Sequence, residues 1–261
     1  MTVPDPTFPP LIEGVGVNGP DRPVVVACKG AAAGDFDAGT LVWARNHDIA
    51  ECALVLAPEV DGVRACEMAR VWQLTIIEAL GLVMPSQTAV QVRWPSTILC
   101  NGGDVGATCL VSPEAPGHKV PDWIVAGAKI VVRRNLGGLE PGIVRDETAL
   151  AEEDGGNITR SDVISTIASH MVANIHDWEQ DGFRGIVERW LGRVEGRETA
   201  ADMLVGGVAR RCKVVGLGDA LTLLASDDSG RALAIPDVVS LWPDQLPVAF
   251  ARPTGQVGGR A

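Results

Sequence analysis

Arg93 and Lys129 are the side chains of this sequence best placed to do chemistry. Each interrupts an alternating apolar pattern. In "AVQVRW" (89–94), Val90, Val92 and Trp94 share one side and leave Gln91 and Arg93 on the other. In "WIVAGAKIVV" (123–132), Ile124, Ala126, Ala128, Ile130 and Val132 form the apolar side, with Gly127 and Lys129 opposite. Two neighbouring strands are thus expected to aim one cation each away from the core. Such cations bind a carboxylate or phosphate, bidentately for arginine. A lysine amid apolar neighbours is costly unless it meets a cavity or a counter-ion, and Asp104 is the internal partner at hand. Cys100 and Cys109 offer a different chemistry, acyl transfer through a thioester, against the usual fate of free cysteine as a core residue.

Composition narrows the classes. The 261 residues carry a net charge of −11, which argues against nucleic acid or an anionic membrane as partner. No apolar run is long enough to span a bilayer, and the Pro-rich, acidic start lacks the features of a secretory signal. Six cysteines without a C-x-x-C pair read as reduced thiols of a cytoplasmic protein. The four histidines show no ligand spacing, so no metal site is expected.

The elements that must position the cations follow from periodicity. Residues 1–22 read as an irregular lead-in. "GTLVWA" (39–44) and "CALVLA" (52–57) are strand-length runs, and residues 60–80 carry a helical stripe with Asp61 as N-cap and Gly81 as stop. "VRWPSTILCNGGDVGA" (92–107) reads as a strand, an Asn-Gly-Gly turn and a second strand. A Gly-rich loop (134–142), a short acidic helix (146–154), a strong helix capped by Ser161 and a shorter one (182–193) come next. Short strands then make a small β-barrel. The expected fold is α+β, a mixed sheet backed by helices. Its parts are the lead-in 1–22, a main domain 23–197, an SH3-like barrel 198–250 and a tail 251–261.

Taken in order, these pieces resemble the biotin/lipoate protein ligase family. That family's hairpin reads K-W-P-N-D-[LI]-x-x-x-x-x-K-[LIV]-x-G. Here Arg93-Trp94-Pro95-Ser96-Thr97-Ile98-Leu99 leads through Asn101-Gly102-Gly103 to Asp104 and Gly106. "IVAGAKIVV" is similar to the next family strand, with Lys129 where asparagine stands. The resemblance implies a small acyl cofactor, biotin or lipoate, ATP with magnesium, adenylation, and transfer to the lysine of a biotinyl or lipoyl acceptor domain. It further implies a homodimer as a candidate assembly. Arg93 and Lys129 would supply positive charge. Trp94, Ser96, Thr97, Asn101, Asp104, Gly106 and Gly127 would shape the substrate site, with Trp43, Trp94 and Trp123 as apolar walls.

The departures bear on function. The family's Gly- and Arg-rich adenylate loop is reduced to Arg45–Glu51. Its catalytic lysine falls on Asp104, a reversal of sign worth ~4 kcal/mol at ~4 Å near a protein surface. Three readings therefore stand: a divergent ligase that binds a small carboxylic acid, a non-catalytic binding or regulatory protein on the same scaffold, and an ATP-independent acyltransferase using Cys100 or Cys109.

Overall fold

The computed structural model describes residues 3–134, 147–236 and 240–241. The chain forms β1 (Glu13–Val17), α1 (Pro23–Ala33), β2 (Thr40–Ala44), β3 (Ile49–Leu56), α2 (Gly62–Ala65) and α3 (Met68–Val83). There follow β4 (Val90–Arg93), β5 (Thr97–Cys100), β6 (Gly103–Ser112), β7 (Ile124–Val131), α4 (Arg160–Asp181) and α5 (Phe183–Leu191). The last elements are β8 (Ala201–Val205), β9 (Val208–Leu217), β10 (Leu223–Asp227), β11 (Ala232–Ile235) and β12 (Ser240–Leu241).

The main sheet runs β1-β2-β3-β7-β6-β5-β4, with β12 beside β6. β1 is parallel to β2 and β12 to β6, and the remaining pairs are antiparallel, so the sheet is mixed. β8 to β11 form a second, antiparallel sheet in the order β11-β10-β9-β8. The α+β expectation holds. Among the described residues the second sheet is an open meander rather than a closed barrel.

Alternation gives the central strands of the main sheet two buried faces. One carries Leu41, Leu54, Ile98, Ala126, Ile130 and their neighbours under α3, α4 and α5. The other carries Val42, Ala53, Val55, Ala107, Cys109 and Val125, packed with Val24, Ala27 and Cys28 of α1. α1 starts on Pro23, whose missing N–H costs nothing there, and stops on Gly34 in the left-handed region.

Several boundaries differ from expectation, each for a local reason. The lead-in is not irregular throughout: Glu13–Val17 pairs with β2 as an edge strand. Arg93 and Asp104 are not on two strands of one hairpin. β4 turns at Trp94–Ser96, where the Trp94–Pro95 bond is cis, into a separate β5, and the Asn101-Gly102 turn joins β5 to β6. Asp61 caps only the short α2, and α3 then runs through Gly81 to Val83, just ahead of Pro85. α4 is capped by Thr159 with Asp162 in a reciprocal capping box, rather than by Ser161. The acidic helix shrinks to one 3-10 turn, Leu150–Glu152. The Gly-rich loop, apart from Arg134, lies outside the described residues.

Candidate functional site

Cross-strand register sets Arg93, Thr97, Ala107, Lys129 and Glu51 in one line across β4, β5, β6, β7 and β3. Directly paired residues project to the same face of a sheet. Both predicted cations therefore leave from the face that carries α1. They are not on adjoining strands, as expected, but three strand spacings apart, ~14 Å.

At one end of this line Arg93 is held twice. Its Nε and Nη2 donate to Glu195 at 2.6 and 3.1 Å, and its Nη1 donates to Asp104 Oδ1 at 2.6 Å. All three side chains are half-buried. Glu195 arrives because residues 193–195 run along β4: Val92 N donates to the Arg193 carbonyl and Glu195 N to the Val92 carbonyl. The two carboxylates hold the Arg93 guanidinium firmly charged, Glu195 contributing most. Asp104 is thus drawn to Arg93 and not, as expected, to Lys129.

Lys129 faces a different carboxylate. Glu51 is its directly paired neighbour on β3 and lies 3.7 Å from Arg22 Nε at the start of α1. Burial lowers the Lys129 pKa, Glu51 opposes that shift, and Arg22 adds to it. Burial raises the pKa of Glu51 against the pull of Arg22 and Lys129. Perturbed, half-buried ionisable groups of this kind mark candidate sites.

Not every residue singled out joins this line. Thr97 is in it, and Gly127 is on the same face in the next row, between Cys109 and Ala53. Trp94 goes to the helical side, edge-on to Trp190 at 6.2 Å. The Ser96 carbonyl accepts from Thr108 N at 2.9 Å, which ties the β4–β5 turn to β6. Asn101 is at the far end of the hairpin, donating to Glu153 and accepting from Ala89 N. A Cβ on Gly106 would meet the Lys129 carbonyl oxygen at 2.1 Å, so glycine there lets β6 and β7 approach. Trp43 packs on the helical face and Trp123 on the α1 face, so the three tryptophans do not line one pocket. Cys100 and Cys109 are buried on opposite faces; burial pushes Cys100 up to about 12 and raises Cys109 as well.

Sequence reasoning missed Arg22, Glu51 and Glu195. Glu51 had a signal: it is the one acid in "IAECALVL" and breaks that strand's apolar pattern as Lys129 breaks its own. Glu195 had none, since 102 residues separate it from Arg93. It also missed Arg70, fully buried on α3, whose guanidinium stacks over Trp94 at 4.6 Å and Trp190 at 5.1 Å. Arg70 Nη1 and Gln73 Nε2 both donate to the Pro95 carbonyl, which anchors the turn next to Arg93. An open hollow of about 620 Å³ lies elsewhere, between the lead-in and the start of α4, lined by Asp5, Thr7, Asn157, Ser161 and Ser165 among others. No residue expected to form the site lines it. Among the described residues there is no cluster fit for a metal ion, and no helix is long and apolar enough to cross a membrane.

Comparison with known proteins agrees with this architecture. A biotin protein ligase-like protein of unknown function from Silicibacter sp. TM1040 is 28% identical, with a TM-score of 0.76, over 88% of this chain and 96% of that one. The biotin protein ligase of Aquifex aeolicus is 16% identical with a TM-score of 0.64, over 85% and 94% of the two chains, a likeness of fold. A biotin–[acetyl-CoA-carboxylase] ligase of Paracoccus denitrificans is 26% identical over 141 residues, 54% of this chain and 58% of that relative. The chain thus matches little more than half the length of that curated relative. The model of the biotin/lipoate A/B protein ligase family matches residues 8–192, from the approach to β1 to the end of α5. This match over most of the chain makes it a member of the biotin/lipoate A/B protein ligase family.

Proposed function

We propose that this protein binds a small carboxylic-acid cofactor of the biotin or lipoate kind on the α1 face of its main sheet. Lys129 and Arg22 would face the acyl head group, with Thr97 and Gly127 as neighbouring walls. The observation that carries this reading is Lys129 itself, a half-buried lysine at the centre of an apolar sheet whose pKa is lowered chiefly by burial. Structures of the Aquifex aeolicus ligase with biotin and with biotin and ATP, and of the Leishmania major ligase with biotinyl-5-AMP, supply the ligand kind. If the protein is a ligase, an acceptor lysine would take the acyl group from an adenylate. Arg22 and Lys129 are the residues to meet the phosphate of ATP.

A second reading, binding without activation, is favoured by the state of Arg93. Its donors are engaged by Glu195 and Asp104, so its charge is already compensated and does not serve the negative charge that adenylation develops. The connection from β2 to β3 is also only residues 45–48, and its one arginine bonds Asp5 and the Gly16 carbonyl.

Calorimetric titration with biotin, lipoate and octanoate tests binding. One of them should bind the wild type, and Lys129→Met should abolish the heat. Equal affinity in the variant would retire the site. Incubation with ATP, the acid and hydroxylamine then separates the two readings, because hydroxamate forms only if an adenylate does.

A further inference from the structure

We infer that the outward face of the second sheet, β8 to β11, is a docking surface for an acidic protein partner. This goes beyond the cofactor reading and does not depend on it.

Alternation sorts the side chains of this sheet. Met203, Cys212, Val214, Leu223, Ala225 and Ile235 turn inward and join the core that holds Ile186, Trp190 and Val194. On the other face the register sets Leu204 beside Ala209, Asp202 beside Arg211, Lys213 beside Ser226 and Leu224 beside Ala234. Val215, the extra residue where the β9–β10 register shifts, stands with Leu224. Leu204 is 70% exposed, Val215 56% and Leu224 37%, and Arg211 and Lys213 are exposed with them. Single exposed apolar side chains need no explanation. Here Val215, Leu224 and Ala234 adjoin at one end of the face, Leu204 and Ala209 at the other, with the two cations between them.

Charge decides what covers this face. The chain carries −11, yet among the described strand residues of the face the one acid is Asp202, 3.9 Å from Arg211. The face is net positive on an acidic molecule, and it selects complementary acidic groups. A second copy does not fit. A two-fold contact centred here would set Arg211 and Lys213 against their own images. The face also measures only ~20 by ~15 Å, or ~300 Å², against ~800 Å² per partner in a standard stable interface. An anionic membrane fits no better, because it would repel the rest of the chain. The occupant is therefore an acidic polypeptide that covers Val215 and Leu224 with apolar side chains of its own, in a transient contact. The inner side of the sheet packs with the core under α3, α4 and α5, so such a partner leaves the α1 face open.

The test titrates the intact, isotope-labelled protein with a short synthetic peptide of Asp, Glu and Leu. Controls are the same peptide with Lys for each acid, and vesicles of phosphatidylglycerol. The acidic peptide should shift the amide signals around Leu204, Lys213 and Leu224. Its affinity should fall at least about tenfold in the double variant Arg211→Glu, Lys213→Glu and in Leu224→Ser, and at least about threefold between ~50 and ~300 mM salt. Near-UV circular dichroism checks that each variant keeps its fold. No binding, equal binding of the Lys peptide, or shifts confined to another part of the molecule would overturn the inference. Tighter binding to the vesicles than to the acidic peptide would assign the face to a membrane and overturn it as well. None of these outcomes bears on the cofactor reading.

Discussion

Arg93 Nη1 lies 2.6 Å from Asp104 Oδ1, and the other edge of the same guanidinium holds Glu195. The arginine therefore ties β4 to β6 and to the segment that follows α5. Arg93→Met would leave two half-buried carboxylates facing one another. The expected loss is about 1–3 kcal/mol, between an exposed ion pair and a buried one broken on one side. Urea denaturation checks it. Adding Asp104→Asn and Glu195→Gln to the variant should restore part of the loss.

Gly106 and Gly81 should respond in opposite directions to alanine. At Gly106 the new methyl meets the Lys129 carbonyl oxygen at 2.1 Å, and backbone inside a sheet cannot yield cheaply. A large drop in Tm, or failure to fold, is the expected outcome. Gly81 sits exposed inside α3 with nothing within 4 Å of the added methyl. There alanine should stabilise by about 0.5–1 kcal/mol.

Arg70→Leu should loosen the turn at Pro95. It removes a stacked cation from between Trp94 and Trp190 and a hydrogen bond to the Pro95 carbonyl, at a cost of about 2–4 kcal/mol. A changed near-UV tryptophan signal should accompany the lower stability. An unchanged spectrum would mean that Arg70 does not position the turn.

The cysteines should be inert in the folded protein. Burial pushes Cys28, Cys52 and Cys100 up to about 12, so at pH 8 only about one thiol in ten thousand is ionised. Ellman's reagent should react with these three and Cys109 only slowly, and with all six cysteines once urea unfolds the chain. Rapid labelling of Cys100 or Cys109, located by mass spectrometry, would bring thioester chemistry back.

Glu51 should leave a pH signature on stability. Its folded pKa is raised by burial above the ordinary 4.5, so the folded chain binds this proton more tightly than the unfolded chain. The resulting stabilisation is complete below pH 4.5 and is lost as pH rises through the folded value. The difference in Tm between Glu51→Gln and the wild type should therefore become more positive from pH 4.5 towards neutrality. Scanning calorimetry at several pH values reads it.

The strands around Arg93 and Lys129 were legible because their periodicity is short and their neighbours apolar. That both cations leave the side opposite the alternating apolar residues was legible for the same reason; that α1 makes this side a second apolar layer was not. Their separation was not, since sheet order depends on where β5 and β6 insert, and a proline turn splits residues 92–100 into two strands. α1 escaped notice because Val24, Val25 and Val26 stand in a row without helical spacing; Pro23 at its start and Gly34 at its end were the signals available. The partners Glu195 and Arg22 are set by tertiary folding and leave no local pattern. Resemblance to a family supplied the roles of Ser96 and Asn101, and their positions in the fold are a turn carbonyl and a distant hairpin end.

Residues 3–12 are woven into the body of the protein. Thr7 N donates to Ser165 across 158 positions, Ser161 bonds the Pro4 carbonyl, and buried Arg160 donates to the carbonyls of Val3 and Pro4 while stacking on Trp43. Trimming this stretch to obtain a tidier domain would strip the cover from a guanidinium and unseat the beginning of α4. The beginning of the chain is better regarded as a clasp closed by its middle, and a purification handle belongs where that clasp can still shut.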